Sequence, residues 1–109
     1  MKIGYVVLYV HDPAACLAFW TEKVGMVEKD KKQVGDFTIA KVGFAAQDFA
    51  FELVPLELMK ENPAGLDLAT PSIAFHMNDL QQARAKLIAN GVKATEVSEH
   101  SGVQSFEFG

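Results

Sequence analysis

The sequence predicts an α+β fold made of two βαβββ-type modules, the second lacking its last strand in this chain. Three observations carry that expectation. The run YVVLYVHD (Tyr5 to Asp12) returns 67 residues later as SIAFHMND (Ser72 to Asp79), and self-similarity at a fixed spacing marks one supersecondary unit used twice. Each copy leads into an apolar stretch of helical period closed by a glycine, Gly25 in the first and Gly91 in the second. The remaining segments are rich in β-branched and aromatic residues and are separated by turn residues, as strands are.

Residues 3–10 are β-branched and aromatic, fitting a buried strand. Asp12 then offers a side-chain cap and Pro13 the residue best tolerated at a first helical position. Cys16, Phe19, Trp20 and Val24 recur at helical spacing before Gly25. Residues 26–34 and 37–44 read as two strands around a turn at Gly35-Asp36, and Phe49 to Leu56 as a fourth. In that fourth strand Phe49, Phe51 and Leu53 point one way, Ala50, Glu52 and Val54 the other. Leu56 to Met59 fit a short helical turn, and Asn62-Pro63-Ala64-Gly65 with Thr70-Pro71 mark a linker. The second module starts with a strand at Ser72–Met77. Asp79 is its helix cap, Leu80, Ala83, Leu87 and Ile88 share a helix face, and Val92–Val97 and Val103–Phe108 read as strands around His100-Ser101-Gly102. Residues 1–109 thus form one domain, with module one at 1–56, a linker at 57–71 and module two at 72–109.

Matching the copies position by position sorts the faces of the two opening strands. Val6, Leu8 and Val10 correspond to Ile73, Phe75 and Met77, all apolar, and should pack under the helices. The mixed face carries Tyr5, Val7 and Tyr9 in one copy and Ser72, Ala74 and His76 in the other. It should look onto a central cleft.

Composition excludes several functions. The chain has 109 residues, a net charge of −4 and 50% apolar residues, enough for a core and ordinary for a globular protein. No cluster of Lys and Arg forms a nucleic-acid footprint, and the opening apolar run is too short to span a bilayer. The single Cys16 cannot form an internal disulfide, which fits a reducing compartment, so a cytoplasmic location is expected. No phosphate-binding glycine loop, nucleophile elbow or paired-cysteine motif is present.

A strand, then Asp12, then a helix containing Phe19-Trp20 and closing Val24-Gly25-Met26 resembles the glyoxalase/bleomycin resistance protein/dioxygenase superfamily, the vicinal oxygen chelate proteins. The resemblance extends over nearly the whole chain. It implies a cupped mixed sheet, a small molecule held in the cleft, and a homodimer. Metal-dependent members hold a divalent ion with four side chains, at the start of each module's first strand and within its fourth. Carried over to this sequence, those places are Tyr5, Glu52 and Ser72, with the last near residue 119. Glu107, in a setting that mimics Glu52, is 35 residues from Ser72 where Tyr5 and Glu52 are 47 apart, so it belongs to a third strand and does not supply the acid. No resident cofactor is expected, and a divalent metal is disfavoured.

The expectation is a metal-independent small-molecule binding protein resembling the drug-sequestering branch, with Tyr5, Tyr9, Glu52, Ser72 and His76 as ligand residues. Tyr5 and Tyr9 would serve as walls. Glu52 and His76 would be polar handles, and the alternative for Glu52 is a solvated carboxylate at the cavity rim. The net charge mildly favours a cationic or neutral ligand. Enzyme activity is left open. The alternatives are a metal-dependent lyase or dioxygenase of the glyoxalase or extradiol type, and a non-catalytic interaction module. Trp20 and Cys16 read as core, and the mixed-sign run Glu28 to Lys32 as a solvated strand and turn.

Overall fold

A computed structural model describes all 109 residues, and they divide into two compact units, Met1–Ser72 and Ile73–Gly109. In the first unit, strands β1 (Tyr5–Val10), β2 (Val27–Val34), β3 (Phe37–Gly43) and β4 (Ala50–Pro55) form one mixed sheet in the order β1-β4-β3-β2. β1 runs parallel to β4, and β3 runs antiparallel to both its neighbours, β4 and β2. Helix α1 (Pro13–Ala18) supplies the crossover that a parallel pair requires.

α1 starts where its sequence says it should: the Asp12 carboxylate accepts from the Ala15 N–H at 3.1 Å, with Pro13 in the first turn. From Phe19 to Val24 the helix widens into a π-helical turn. Thr21 lies in that turn, and its hydroxyl donates to the Leu17 carbonyl at 2.8 Å, a back-bond of the kind that bends helices. Gly25 ends it at φ +95°, a left-handed conformation that only glycine adopts without strain.

Parity places the core. Trp20 packs on Phe51 with ring centroids 5.3 Å apart, and Phe51 meets Phe49 edge to face at 5.6 Å. Val42 and Leu53, on the same face of β3 and β4, are fully buried. The Phe51-Leu53 face is therefore the one under the helix, as expected from the sequence. Gly43 closes β3 where a Cβ would collide with the Phe49 carbonyl oxygen, so the entry to β4 depends on its absence. β2 pairs with β3 through an irregularity between Glu28 and Asp30, and the whole strand is exposed, as the charge run predicts.

The second unit differs from its sequence reading in detail. Ser72–Met77 forms no ladder. It keeps the two-residue alternation, with Ile73, Phe75 and Met77 half-buried and Ser72, Ala74 and His76 exposed. In module one the matching strand β1 is held by β4, whereas 72–77 has no partner strand in either sheet. Helix α2 (Leu80–Ala89) is capped by Asp79, which accepts from the Gln82 N–H at 3.0 Å, and only Leu87 is buried along it.

The hairpin departs from the expected strands: β5 is Ser98–His100, outside the expected Val92–Val97 and with His100 in the strand rather than the turn, and it pairs with a shorter β6 (Val103–Ser105). Ser101 and Gly102 both take positive φ, +54° and +79°, as a two-residue hairpin turn of the primed type demands. Pairing resumes only at Ala94 with Phe108, because three residues on one side then face two on the other. There the Thr95 hydroxyl accepts the Glu107 N–H at 2.8 Å in place of a ladder bond. Phe108 lies 6.0 Å from Phe75 and 6.2 Å from Phe106, centroid to centroid. No helix of the protein is long and apolar enough to cross a membrane.

Candidate functional site

The sheet face turned away from the helix gathers the polar groups of the first unit. Register puts Tyr5, Val7 and Tyr9 of β1 beside Ala50, Glu52 and Val54 of β4, and Glu52 beside Lys41 of β3. Asp30 and Lys32 of β2 face Lys41 and Ile39. One strand face thus carries a tyrosine pair, a central glutamate and two lysines from neighbouring strands.

Glu52 is the only buried charged side chain, 7% exposed, in a strand that is otherwise wholly apolar and buried. The alternative of a solvated rim carboxylate is therefore overturned. Its Oε2 has the Lys32 ammonium at 3.8 Å and the Lys41 ammonium at 3.9 Å. Both distances are ion-pair contacts too long for hydrogen bonds, and Oε2 has no hydrogen-bond partner. The two cations offset the cost of burying the carboxylate. Lys41 also sits over the Tyr5 ring, 4.0 Å from its centroid, a cation–π contact that fixes the side chain between tyrosine and glutamate.

Of the residues singled out from the sequence, Tyr5 and Glu52 are brought together through Lys41, and Tyr9 shares their face. Tyr5 is 46% exposed and Tyr9 half-buried. Ser72 and His76 lie outside the four-stranded sheet, exposed on the unpaired segment. Sequence reasoning missed Lys32 and Lys41. The signal for Lys41 was available: a lone lysine among Ile39, Ala40 and Val42 has to find a partner, and the neighbouring apolar strand offers one carboxylate. Lys32 was hidden in the mixed-charge run, where every residue reads as solvated. Cys16, half-buried on α1, has its thiol pushed up by burial first and by the Asp12 carboxylate second, as suits a core residue rather than a nucleophile.

The family model described as Glyoxalase/Bleomycin resistance protein/Dioxygenase superfamily matches residues 2–108. The chain belongs to this superfamily. Among solved structures, a superfamily member from Sphaerobacter thermophilus superposes with a TM-score of 0.81 at 16% identity, over 99% of this chain and 87% of that one. TnmS3, an antibiotic binding protein from Streptomyces sp. CB03234, gives 0.74 at 16% identity, over 93% and 79%. The trypanothione-dependent glyoxalase I of Leishmania major gives 0.65 at 20% identity, over 94% and 74%. These likenesses establish the fold. No curated protein matches the chain in sequence.

The superfamily's metal places can now be tested against the chemistry found there. Tyr5 brings a phenol ring covered by an ammonium group, and Glu52 a carboxylate already facing two ammonium groups. No three His, Cys, Asp or Glu residues come together as a metal-holding group. A divalent cation at Glu52 would be pressed against two positive charges at contact distance, so the donor set of this unit does not fit it.

Proposed function

We propose that the protein binds a small organic molecule without a metal ion, on the Tyr5, Tyr9 and Glu52 face of its four-stranded sheet. The observation that carries the reading is the pair of lysines on Glu52, two ammonium groups at contact distance from the carboxylate that the family resemblance would assign to a metal. TnmS3, named as an antibiotic binding protein, has the same fold, and it is the lysine pair on Glu52 that supports the drug-sequestering reading. Tyr5 supplies an exposed aromatic surface and Tyr9 a half-buried one on the same strand face. The matching positions of the second repeat, Ser72 and His76, are assigned the same role there. The working form is a homodimer in the cytoplasm, with the unpaired segment 72–77 as the edge a second copy protects.

A thermal-shift screen of aromatic and heteroaromatic compounds tests the reading, since a ligand that binds only the folded state raises its apparent stability. A subset should raise the Tm, and Tyr5→Ala should abolish the rise. A set of hits whose shifts survive Tyr5→Ala and Tyr9→Ala would place binding elsewhere. Sedimentation at micromolar concentration tests the dimer; a monomer without concentration dependence contradicts it.

A further inference from the structure

Exposure rises steadily along the charged cluster. Glu52 retains 9% of its side-chain surface, Lys41 27% and Lys32 56%. An incoming molecule therefore meets the two ammonium groups before it meets the carboxylate behind them. We propose that the ligand is anchored by an anionic carboxylate gripped between Lys32 and Lys41, and that Glu52 is a positioning residue holding both lysines rather than the group that binds. This deepens the small-molecule reading and rests on it.

Three physical points support the assignment. Two ammonium groups share one carboxylate, so the cluster has one positive charge in excess, and a singly charged anion closes it as an alternating arrangement of two cations and two anions. Neither lysine makes a hydrogen bond to Glu52, since 3.8 and 3.9 Å exceed hydrogen-bond reach, so their N–H groups remain free to donate at full charge-assisted strength. Lys41 is immobilised by the Tyr5 ring beneath it, which lowers the ordering cost of binding. The exposed Tyr5 ring extends the same surface for the ligand's apolar part.

The chain's net charge of −4 points the other way, towards cationic or neutral ligands. The local pair prevails, because remote surface charges are screened over about 8 Å at physiological ionic strength whereas the lysines are in contact with the site. Asp30, the register partner of Lys41, makes no ion pair with either lysine, both of which reach Glu52 instead.

The test is a matched series of probes, naphthoate, naphthamide and naphthylmethylammonium, titrated calorimetrically into the intact protein and into Lys32→Gln and Lys41→Gln. Naphthoate should bind most tightly, weaken as salt is raised, and lose roughly tenfold in affinity in each variant. Lys32→Gln alters an exposed side chain, so the test survives even if Lys41→Gln fails to fold. Naphthamide or naphthylmethylammonium binding as tightly as naphthoate, with affinity unchanged by Lys32→Gln, would overturn the anionic anchor and leave the small-molecule reading standing. Absence of binding by all three would overturn both.

Discussion

β1 and the segment Ser72–Met77 descend from the same pattern and end in different states. β1 is paired residue by residue with β4 from Tyr5 to Val10, whereas its counterpart has no ladder at all. Both alternate by parity. In β1 the register puts Val6, Leu8 and Val10 on the Phe51-Leu53 face and Tyr5, Val7 and Tyr9 on the other. In 72–77 Ile73, Phe75 and Met77 are half-buried while Ser72, Ala74 and His76 are exposed. Alternation is thus a property of the sequence, set by burying one row of side chains. Strand character is a property of the neighbour, set by where the backbone hydrogen bonds go. The same contrast governs the charged groups. Glu52 is buried because β2 and β3 bring lysines to it, while Glu107, in an almost identical local sequence, is exposed.

Core truncation separates the two regions most strongly. Leu53→Ala, at a fully buried position of β4, should cost about 3–5 kcal/mol in urea unfolding, and Phe75→Ala, half-exposed in the second unit, about 1–2 kcal/mol. Equal costs would mean that the unpaired segment is as well packed as β4. Hydrogen exchange sharpens the point: amides of β1 that donate to β4 should be protected by orders of magnitude more than those of 72–77.

Next in size is the charged cluster. Lys41→Ala strips the more buried of the two cations from Glu52 and should destabilise by about 2 kcal/mol, below the full cost of an orphaned buried charge because Lys32 remains. Lys32→Ala, more exposed, should cost under about 1 kcal/mol. A reversed order would place the stabilising contact on the edge strand instead.

Gly102→Ala forces a Cβ into a left-handed turn position and should cost about 1 kcal/mol, read as fraying of the β5–β6 hairpin. The smallest effect concerns Cys16. With its thiol pushed above its ordinary value, less thiolate is present at any pH below it, so alkylation at pH 8 should be slower than that of a free thiol. Asp12→Asn keeps a capping oxygen and removes the charge, and should speed the reaction modestly.

Much of this was legible in the residues themselves. Asp12 and Asp79 announced both helix starts, and the parity of Phe51, Glu52 and Leu53 told core from site before any contact was known. The local signals sufficed there because capping and alternation act over two to four residues. What was illegible depends on distant partners. Nothing near Lys32 says that it reaches a carboxylate two strands away, and nothing in Ile73, Phe75 and Met77 says whether a neighbouring strand exists. The π-helical turn at Phe19–Val24 escaped for a related reason, since the helical spacing of Phe19, Trp20 and Val24 is the same whether the turn is tight or wide.

The central claim is that Glu52 is held by lysines and does not ligate a metal. Metal analysis of protein purified without chelator, followed by calorimetric titration with manganese, nickel and zinc, tests it directly. The account predicts no stoichiometric ion and no saturable binding that Glu52→Gln removes. One divalent ion per chain, lost in Glu52→Gln and retained in the wild type, would contradict it.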